Sequence, residues 1–315
     1  MTIAIGAAGP HAGLAIVRAL QAAEAVGAGA IRGFVMLAAI TREGQLVRYT
    51  TQRGGTRTLF IDGETTGVAP PASVSEAIAA ALISSGPDRP EPLSQFLTAD
   101  AQAGLVTAHR VPQGPSVNGI SLNVEVLAAL KSGQSAQSAI AAILTQNPAA
   151  DVGFIVIDRD GNLHWENAPR VQKRPDIGQA HRSDPATGAQ LAVLHNAIQP
   201  HGSLAPLVAD VGFRHMVETA PVIGWFTITA GIPIIYGDVD AVEIDEHDVA
   251  QTVITSDRTF TDRDRSGVGI YLHSQVRRNY QIIGKTLFEP ICLVRRGRII
   301  EMSGQTTLRI SYTHC

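Results

Sequence analysis

The chain has 315 residues, of which 45% are hydrophobic and 17% charged, and its formal net charge at pH 7 is −3. This composition is typical of a folded globular protein and excludes a disordered, collagen-like or coiled-coil chain. The chain lacks the basic excess with which proteins neutralise phosphates, so we expect neither nucleic acid nor an anionic membrane as a partner.

The cysteines and the apolar runs indicate the compartment. Cys292 and Cys315 are too few for a disulfide framework or a Cys-ligated zinc site. The longest uncharged apolar run, 33–40, is far shorter than the roughly 20 residues that cross a bilayer. The first residues also lack the charged and apolar regions of a secretory signal. We therefore expect a cytoplasmic protein.

The first half of the chain predicts helices and hairpins in alternation. Apolar residues at helical spacing predict a helix over 11–26, and two apolar runs around a polar turn predict a β-hairpin over 33–51. The segment 62–121 is rich in Pro and Gly, which predicts an irregular excursion from the core, interrupted by a helix over about 73–83. Segments of this kind often line a binding site.

A similar plan recurs near the middle of the chain. One helix ends at Gly133, a second has an apolar face from Ala136 to Leu144, and a strand over 153–157 leads into a polar turn. The shared pattern is compatible with an internal duplication and equally with generic hairpin chemistry.

The C-terminal third is predicted to be rich in strands. A helix near 204–218 precedes it, and we place a boundary near 220, which gives units of 1–220 and 221–315. The predicted strands are 224–235, 253–254, 268–272, 282–283, 291–294 and 299–300.

The segment 130–163 resembles a known arrangement. Its helix begins with Gly133, Ser135 and Ala136, and the strand that follows ends in a turn containing Asp158, Gly161 and Asn162. This order is similar to that of N-terminal-nucleophile (Ntn) hydrolase-like proteins of the isoaspartyl-peptidase and glycosylasparaginase type. The whole chain looks more like a bacterial protein family of unknown function.

The Ntn resemblance implies an α+β fold, a four-layer αββα sandwich, and hydrolysis of an amide bond in active members. The sequence departs from those peptidases in one respect: their internal cleavage site, with a threonine that opens a strand in mid-chain, has no convincing match. The segment 12–46 also resembles, in outline, the haem-binding GlcG-like family, although no haem ligand is evident.

Ntn chemistry requires a Thr, Ser or Cys whose own α-amine acts as the base, so the nucleophile must be the first residue of the mature chain. Removal of Met1 would expose Thr2 at the head of an alternating, strand-like segment. The alternative is that Thr2 is an ordinary residue at a frayed terminus. Thr56 after Gly55, or Ser203 after Gly202, would each require self-cleavage.

Two polar loops are candidates for ligand binding. Adjacent glycines in the loop 50–57 allow backbone N–H groups to approach an anion, and flanking arginines could hold a carboxylate. The loop 84–89 offers a hydroxyl beside an Asp/Arg pair. Both loops have the alternative interpretation of solvated turns. The candidate residues are Arg53, Gly54, Gly55, Thr56 and Arg57 in the first loop and Ser85, Asp88 and Arg89 in the second.

The sequence predicts neither a metal nor a cofactor. The spacing of His195 and His201 does not match that of helical zinc ligands, which favours a polar loop that caps the following helix. The acidic run 238–248 lacks the glycine and final glutamate of an EF-hand loop, which favours a solvated face. Cys292 lies in an apolar strand and is expected to be an inert core residue.

The sequence is therefore compatible with two functions. The first is an amide hydrolase acting on a small acidic or cyclic amide, with Thr2 as nucleophile and base. The second is a non-catalytic small-molecule-binding or assembly protein that retains the fold. We also expect a homo-oligomer, because a symmetric dimer would cover exposed strand edges.

Overall fold

The computed structural model describes residues 1–67, 69–217 and 223–314. The protein is mixed α/β and divides into two compact units, Met1–Thr219 and Ala220–Cys315. Within the described ranges, no helix combines the length and apolar character needed to span a membrane.

The first unit contains two antiparallel sheets and several helices. Its strands are β1 (Thr2–Ala8), β2 (Val35–Ile40), β3 (Leu46–Thr51), β4 (Ala79–Ser85), β5 (Thr98–Asp100), β6 (Gly104–Arg110), β7 (Val152–Asp158), β8 (Leu163–Asn167), β9 (Ile177–Asp184) and β10 (Ala189–Asn196). Its helices are α1 (Ala12–Val26), α2 (Thr56–Leu59), α3 (Ala72–Ser75), α4 (Leu122–Lys131), α5 (Ala136–Gln146), α6 (Pro169–Gln172) and α7 (His201–Val217). A six-stranded sheet has the order β3-β2-β4-β1-β10-β9, and a four-stranded sheet has the order β5-β6-β7-β8.

Strand β1 has both faces buried. Because successive side chains of a strand point to opposite faces, Ile3 and Ile5 belong to an apolar cluster that includes residues of α1 and α7. Ala4 belongs to a second cluster, which includes Leu105 and Ile155 of the other sheet. A third cluster joins the four-stranded sheet to α4 and α5. The Ala-rich sequence of β1 and β4 thus meets apolar groups on both sides.

Both hairpins predicted in the first unit are confirmed. Strands β2 and β3 pair in the hairpin expected over 33–51, and β7 pairs with β8 across the polar turn that follows residue 158. The helix predicted over 73–83 is wrong. Helix α3 ends at Ser75, and residues 79–85 form β4, which is buried throughout and lies between β2 and β1. Burial of small residues on both faces here outweighs the helix propensity of alanine.

Close packing of α1 gives a test of this arrangement. A Cβ atom added at Gly13 would lie 1.8 Å from the carbonyl oxygen of Val74. We expect Gly13→Ala to lower the free energy of unfolding by about 1–3 kcal/mol, although alanine is normally the better helix former. Gly202→Ala is the matched control, because a Cβ there meets nothing within 4 Å. Urea unfolding of the two variants measures the difference, and equal stabilisation by both would contradict the packing.

The second unit is rich in strands, as expected. Its elements are β11 (Ile223–Thr229), β12 (Ile234–Tyr236), β13 (Ala241–Ile244), β14 (Ala250–Thr255), α8 (Thr259–Asp262), β15 (Arg265–Val268), β16 (Gln275–Arg278), β17 (Gln281–Thr286), β18 (Ile291–Arg295), β19 (Arg298–Met302) and β20 (Thr307–His314). They form a seven-stranded sheet, β11-β20-β17-β16-β13-β14-β12, and a three-stranded sheet, β15-β18-β19.

Two sequence predictions in this unit have different outcomes. The hairpin around the turn after Arg295 is confirmed by the pairing of β18 with β19. The strand predicted over 268–272 is misplaced, because β15 ends at Val268. Cys292 is fully buried in an apolar cluster, and this burial raises the pKa of its thiol to about 11, as expected for an inert core cysteine.

Candidate functional site

Thr2 is the first residue of the central strand β1 and lies between two polar neighbours. It pairs in register with Ser85 at the end of β4 and with Asn196 at the end of β10. Directly opposed residues of an antiparallel sheet place their side chains on the same face. Thr2 therefore shares a face with two polar side chains, and it is only 8% exposed.

The Thr2 hydroxyl connects the two sheets of the first unit. Its Oγ1 donates a hydrogen bond to Asn196 Oδ1 (2.7 Å) and accepts one from the backbone N–H of Arg110 at the end of β6 (2.6 Å). A hydroxyl oxygen has two lone pairs, so one remains available after the bond from Arg110 is made. The group is thus oriented and partly polarised.

Met1 is held beside Thr2 by a separate set of contacts. Its carbonyl oxygen accepts a hydrogen bond from Ser85 Oγ (2.6 Å), and Ser85 Oγ in turn accepts one from the Arg89 guanidinium. The sulfur of Met1 accepts a hydrogen bond from the backbone N–H of Ala30 (2.9 Å). Two of the residues predicted to bind a ligand, Ser85 and Arg89, therefore lie next to the Met1–Thr2 peptide bond.

The electrostatics at this end of β1 favour a neutral amine. Partial burial lowers the pKa of the α-ammonium group of Met1, and the positive charges of Arg89 and Arg110 lower it further. Asp176 has the opposite effect. An α-amine acts as a base only when it is unprotonated, and a lower pKa increases the unprotonated fraction at a given pH.

A buried histidine lies close to this site. His109 precedes Arg110 on β6, and its Nε2 is 2.7 Å from Asn167 Oδ1 on β8. Asn167 Nδ2 donates to Gln179 Oε1 on β9 (3.0 Å). Burial lowers the pKa of His109 to about 4, although the hydrogen bond to Asn167 opposes this effect. His109 is therefore neutral at physiological pH.

The expectation that His195 belongs to a polar loop is wrong. His195 is a fully buried residue of β10, and neither ring nitrogen has a hydrogen-bonding partner within the described ranges. Burial lowers its pKa to about 4. His201 begins α7, and its Nδ1 is 3.0 Å from the carbonyl oxygen of Ile198. In the part of the chain that the structure describes, no group of three or more His, Cys, Asp or Glu residues could hold a metal ion.

The loop predicted over 50–57 divides into two parts with different surroundings. Thr56 is buried, and its N–H and hydroxyl both donate to the carboxylate of Glu24 on α1. Gly55, with φ of 59°, lies so close that a Cβ would be 2.0 Å from Glu24 Oε1. Burial raises the pKa of Glu24, while the hydrogen bonds from Thr56 oppose the rise. Gly54 and Arg57 also line the surface cavity of about 400 Å³ beside Glu24.

The other part of this loop meets the second predicted loop. Arg53 forms an exposed ion pair with Asp88 (2.7 Å). The side-chain amide of Gln52 makes two hydrogen bonds to the backbone of Arg89, accepting from its N–H (2.9 Å) and donating to its carbonyl oxygen (2.8 Å). The structure thus brings together Arg53, Asp88 and Arg89, whereas Thr56 is engaged by Glu24.

Sequence reasoning missed the side chains that orient Thr2. Arg110 lies in a segment that the sequence predicts to be irregular, and Asn196 is not among the predicted site residues. The signal available for both was a pair of polar residues, histidine followed by Arg110 or Asn196, after the mostly apolar runs 105–108 and 191–194. Such residues mark the ends of buried strands, where functional groups often gather.

Two family matches cover most of the chain. A domain of unknown function, DUF6963, matches residues 2–225, and a second, DUF7259, matches residues 231–307. No curated protein matches the sequence. Because the first match spans more than half of the chain, the protein belongs to the DUF6963 family.

Proposed function

We propose that the protein is an Ntn-type hydrolase of a small amide, with Thr2 as nucleophile after cleavage of the Met1–Thr2 bond. The observation that carries the proposal is the position of Thr2 Oγ1, which is fixed by Asn196 and by the Arg110 N–H at the start of a buried central strand. A frayed terminal residue would have neither contact nor burial.

We further propose that the first unit has the four-layer αββα architecture of that superfamily. Three apolar clusters support this arrangement. One joins α1 and α7 to the six-stranded sheet, one joins the two sheets, and one joins the four-stranded sheet to α4 and α5. In this arrangement Thr2 lies at the end of the space between the sheets.

The reaction can be written with the groups at this site. The α-amine of Thr2 accepts the proton of its own hydroxyl, directly or through water, as Oγ1 attacks the amide carbonyl carbon. The C–N bond breaks, the proton passes to the leaving amine, and an ester to Thr2 remains. Water then attacks this ester with the α-amine again as the base, which releases the acid and restores the Thr2 hydroxyl.

The Arg110 N–H has a defined part in this scheme. It donates to Thr2 Oγ1 at 2.6 Å, so it stabilises the negative charge that develops on that oxygen as the proton leaves. Asn196 accepts the hydrogen bond that holds Thr2 Oγ1 in place, and the hydroxyl turns from Asn196 to give its proton to the α-amine. The positive charges of Arg89 and Arg110 favour the neutral form of a nearby α-amine.

Intact-mass measurement of the purified protein tests the first requirement. We expect the mass of a chain that lacks Met1, and we expect that chain, and not one retaining residues before Thr2, to hydrolyse members of a panel of small amides. A chain with an added N-terminal extension is the matched control. If the active protein retains Met1, its blocked amine cannot act as the base, and a non-catalytic binding protein becomes the better interpretation.

A further inference from the structure

Met1 occupies a space beside Gly29, Ala30 and Ser85, which we call the Met1 site. Its lining contains hydrogen-bond donors that a ligand could use after Met1 is lost. Ser85 Oγ donates to the Met1 carbonyl oxygen at 2.6 Å, and the Ala30 N–H donates to the sulfur at 2.9 Å. A Cβ at Gly29 would lie 2.8 Å from the same sulfur, so glycine there leaves room for an occupant. Loss of Met1 leaves both donors without these acceptors, next to Thr2.

Arg89 differs from three other arginines near this site. Its guanidinium contacts Ser85 Oγ, and among residues 1–67, 69–217 and 223–314 no carboxylate lies within ion-pair distance of it. Those three arginines each form an ion pair with an aspartate: Arg53 with Asp88, Arg110 with Asp151 and Arg174 with Asp176. Arg89 therefore contributes an uncompensated positive charge to the Met1 site.

The backbone of Arg89 is also held in place. Gln52 forms hydrogen bonds to both the N–H and the carbonyl oxygen of Arg89, and Asp88, with φ of 59°, is anchored by Arg53. A guanidinium presented from a fixed backbone loses little conformational entropy when it binds an anion. Its planar donors match the two oxygens of a carboxylate.

Resting on the proposed function, we infer that Arg89 and Ser85 bind a carboxylate of the substrate in the Met1 site. The Met1 carbonyl oxygen and Thr2 Oγ1 are linked by few covalent bonds, which limits their separation to about 5 Å. A carboxylate bound in place of that carbonyl therefore lies only a few atoms from the carbon that Thr2 attacks. The substrate class is a small amide with a carboxylate about two carbon atoms from the scissile carbonyl.

Succinamate and butyramide form a matched pair of probes, because they share the amide and the chain length and differ in the carboxylate. Binding is measured calorimetrically to a Thr2→Ala protein whose mass shows loss of Met1, so that no turnover is required. We expect this protein to bind succinamate at least about ten-fold more tightly than butyramide. Arg89→Gln is expected to abolish this preference, while Arg89→Lys retains part of it. Equal affinity for the two probes, or no binding of succinamate at millimolar concentration, would overturn the inference.

The control removes a positive charge elsewhere in the same unit. Arg18→Gln changes an exposed side chain of α1 that contacts Gln21, and it should leave the preference for succinamate unchanged. Weakening by Arg18→Gln equal to that by Arg89→Gln would mean that net charge alone is sensed, which also overturns the inference. Arg89-dependent binding without hydrolysis by the wild-type protein would support the carboxylate site and contradict the hydrolase. If the wild-type protein hydrolyses both amides and Arg89→Gln leaves those rates unchanged, the hydrolase is supported and the carboxylate site is contradicted.

Discussion

Thr2→Ala is expected to lower the turnover of any amide substrate by at least about a thousand-fold, because it removes the oxygen that attacks the carbonyl while leaving the α-amine in place. The fold should persist. The substitution removes one small side chain and two hydrogen bonds, to Asn196 and from Arg110, at the end of a strand whose remaining residues are unchanged. The measurement is the steady-state rate with a hydrolysed amide, together with urea unfolding of the same preparation.

Two further variants make the Thr2→Ala result specific. Thr2→Ser retains a hydroxyl on an N-terminal residue and should preserve a measurable part of the rate. Thr145→Ala removes an exposed threonine of α5 and should leave the rate at the wild-type level. Full activity of correctly folded Thr2→Ala protein would remove Thr2 as the nucleophile. Equal loss of activity in Thr2→Ser and Thr2→Ala would indicate that the site tolerates no change in shape.

The hairpins could be predicted from the sequence because their information is local. Residues 33–51 contain both apolar runs and the turn between them, and the same is true of β7 and β8. The identity of β4 is not local information. Ala79, Ala80 and Ala81 favour a helix in isolation, and only pairing with β1 and β2 makes the strand the better choice.

The candidate site was partly predictable for the same reason. Ser85 and Arg89 lie in one polar loop, which the sequence shows, and their proximity to Thr2 follows from the register of β4 on β1. The partners of the Thr2 hydroxyl are far away in the sequence, at Arg110 and Asn196, and come from strands in two different sheets. No spacing rule links such residues, because the link is made only by the pairing and stacking of strands.

Glu24 shows how a distant residue changes the role of a predicted one. The glycines before Thr56 are typical of a loop that presents N–H groups to an anion. The anion that receives the N–H of Thr56 in the structure is the carboxylate of Glu24, from α1. The N–H group that the sequence analysis offers to a ligand is therefore occupied by a carboxylate of the protein itself.

Because His109 and His195 are buried, we expect the protein to lose much of its stability in mild acid. Burial lowers the pKa of His109 and of His195 from 6.5 to about 4 in the folded protein. The unfolded chain therefore binds these protons first as the pH falls. Protonation of these histidines leaves the free energy of unfolding almost unchanged above pH 6.5. It lowers that free energy progressively as the pH falls from 6.5 towards 4. Each shift corresponds to about 3 kcal/mol over that range.

His195→Leu isolates one of these contributions. Leucine has a similar volume and removes a ring whose two nitrogens lack partners among the described residues, so stability at pH 7 should be maintained or increased. Between pH 7 and pH 4.5 the wild-type protein should lose about 2–3 kcal/mol more than His195→Leu in urea unfolding. The aspartates at positions 151 and 176 titrate below this window, because their arginine partners lower their pKa values from 3.8.

Glu24 changes stability with pH in the direction opposite to that of the histidines. It does not affect the comparison of wild type with His195→Leu. Its pKa is raised, so its ionised form costs stability as the pH rises through the folded pKa, and acid relieves that cost. Both proteins contain Glu24, so its contribution cancels in their difference. If His195→Leu and wild type lose the same stability between pH 7 and pH 4.5, His195 takes up its proton in the folded protein, and β10 must open to water more readily than its burial implies.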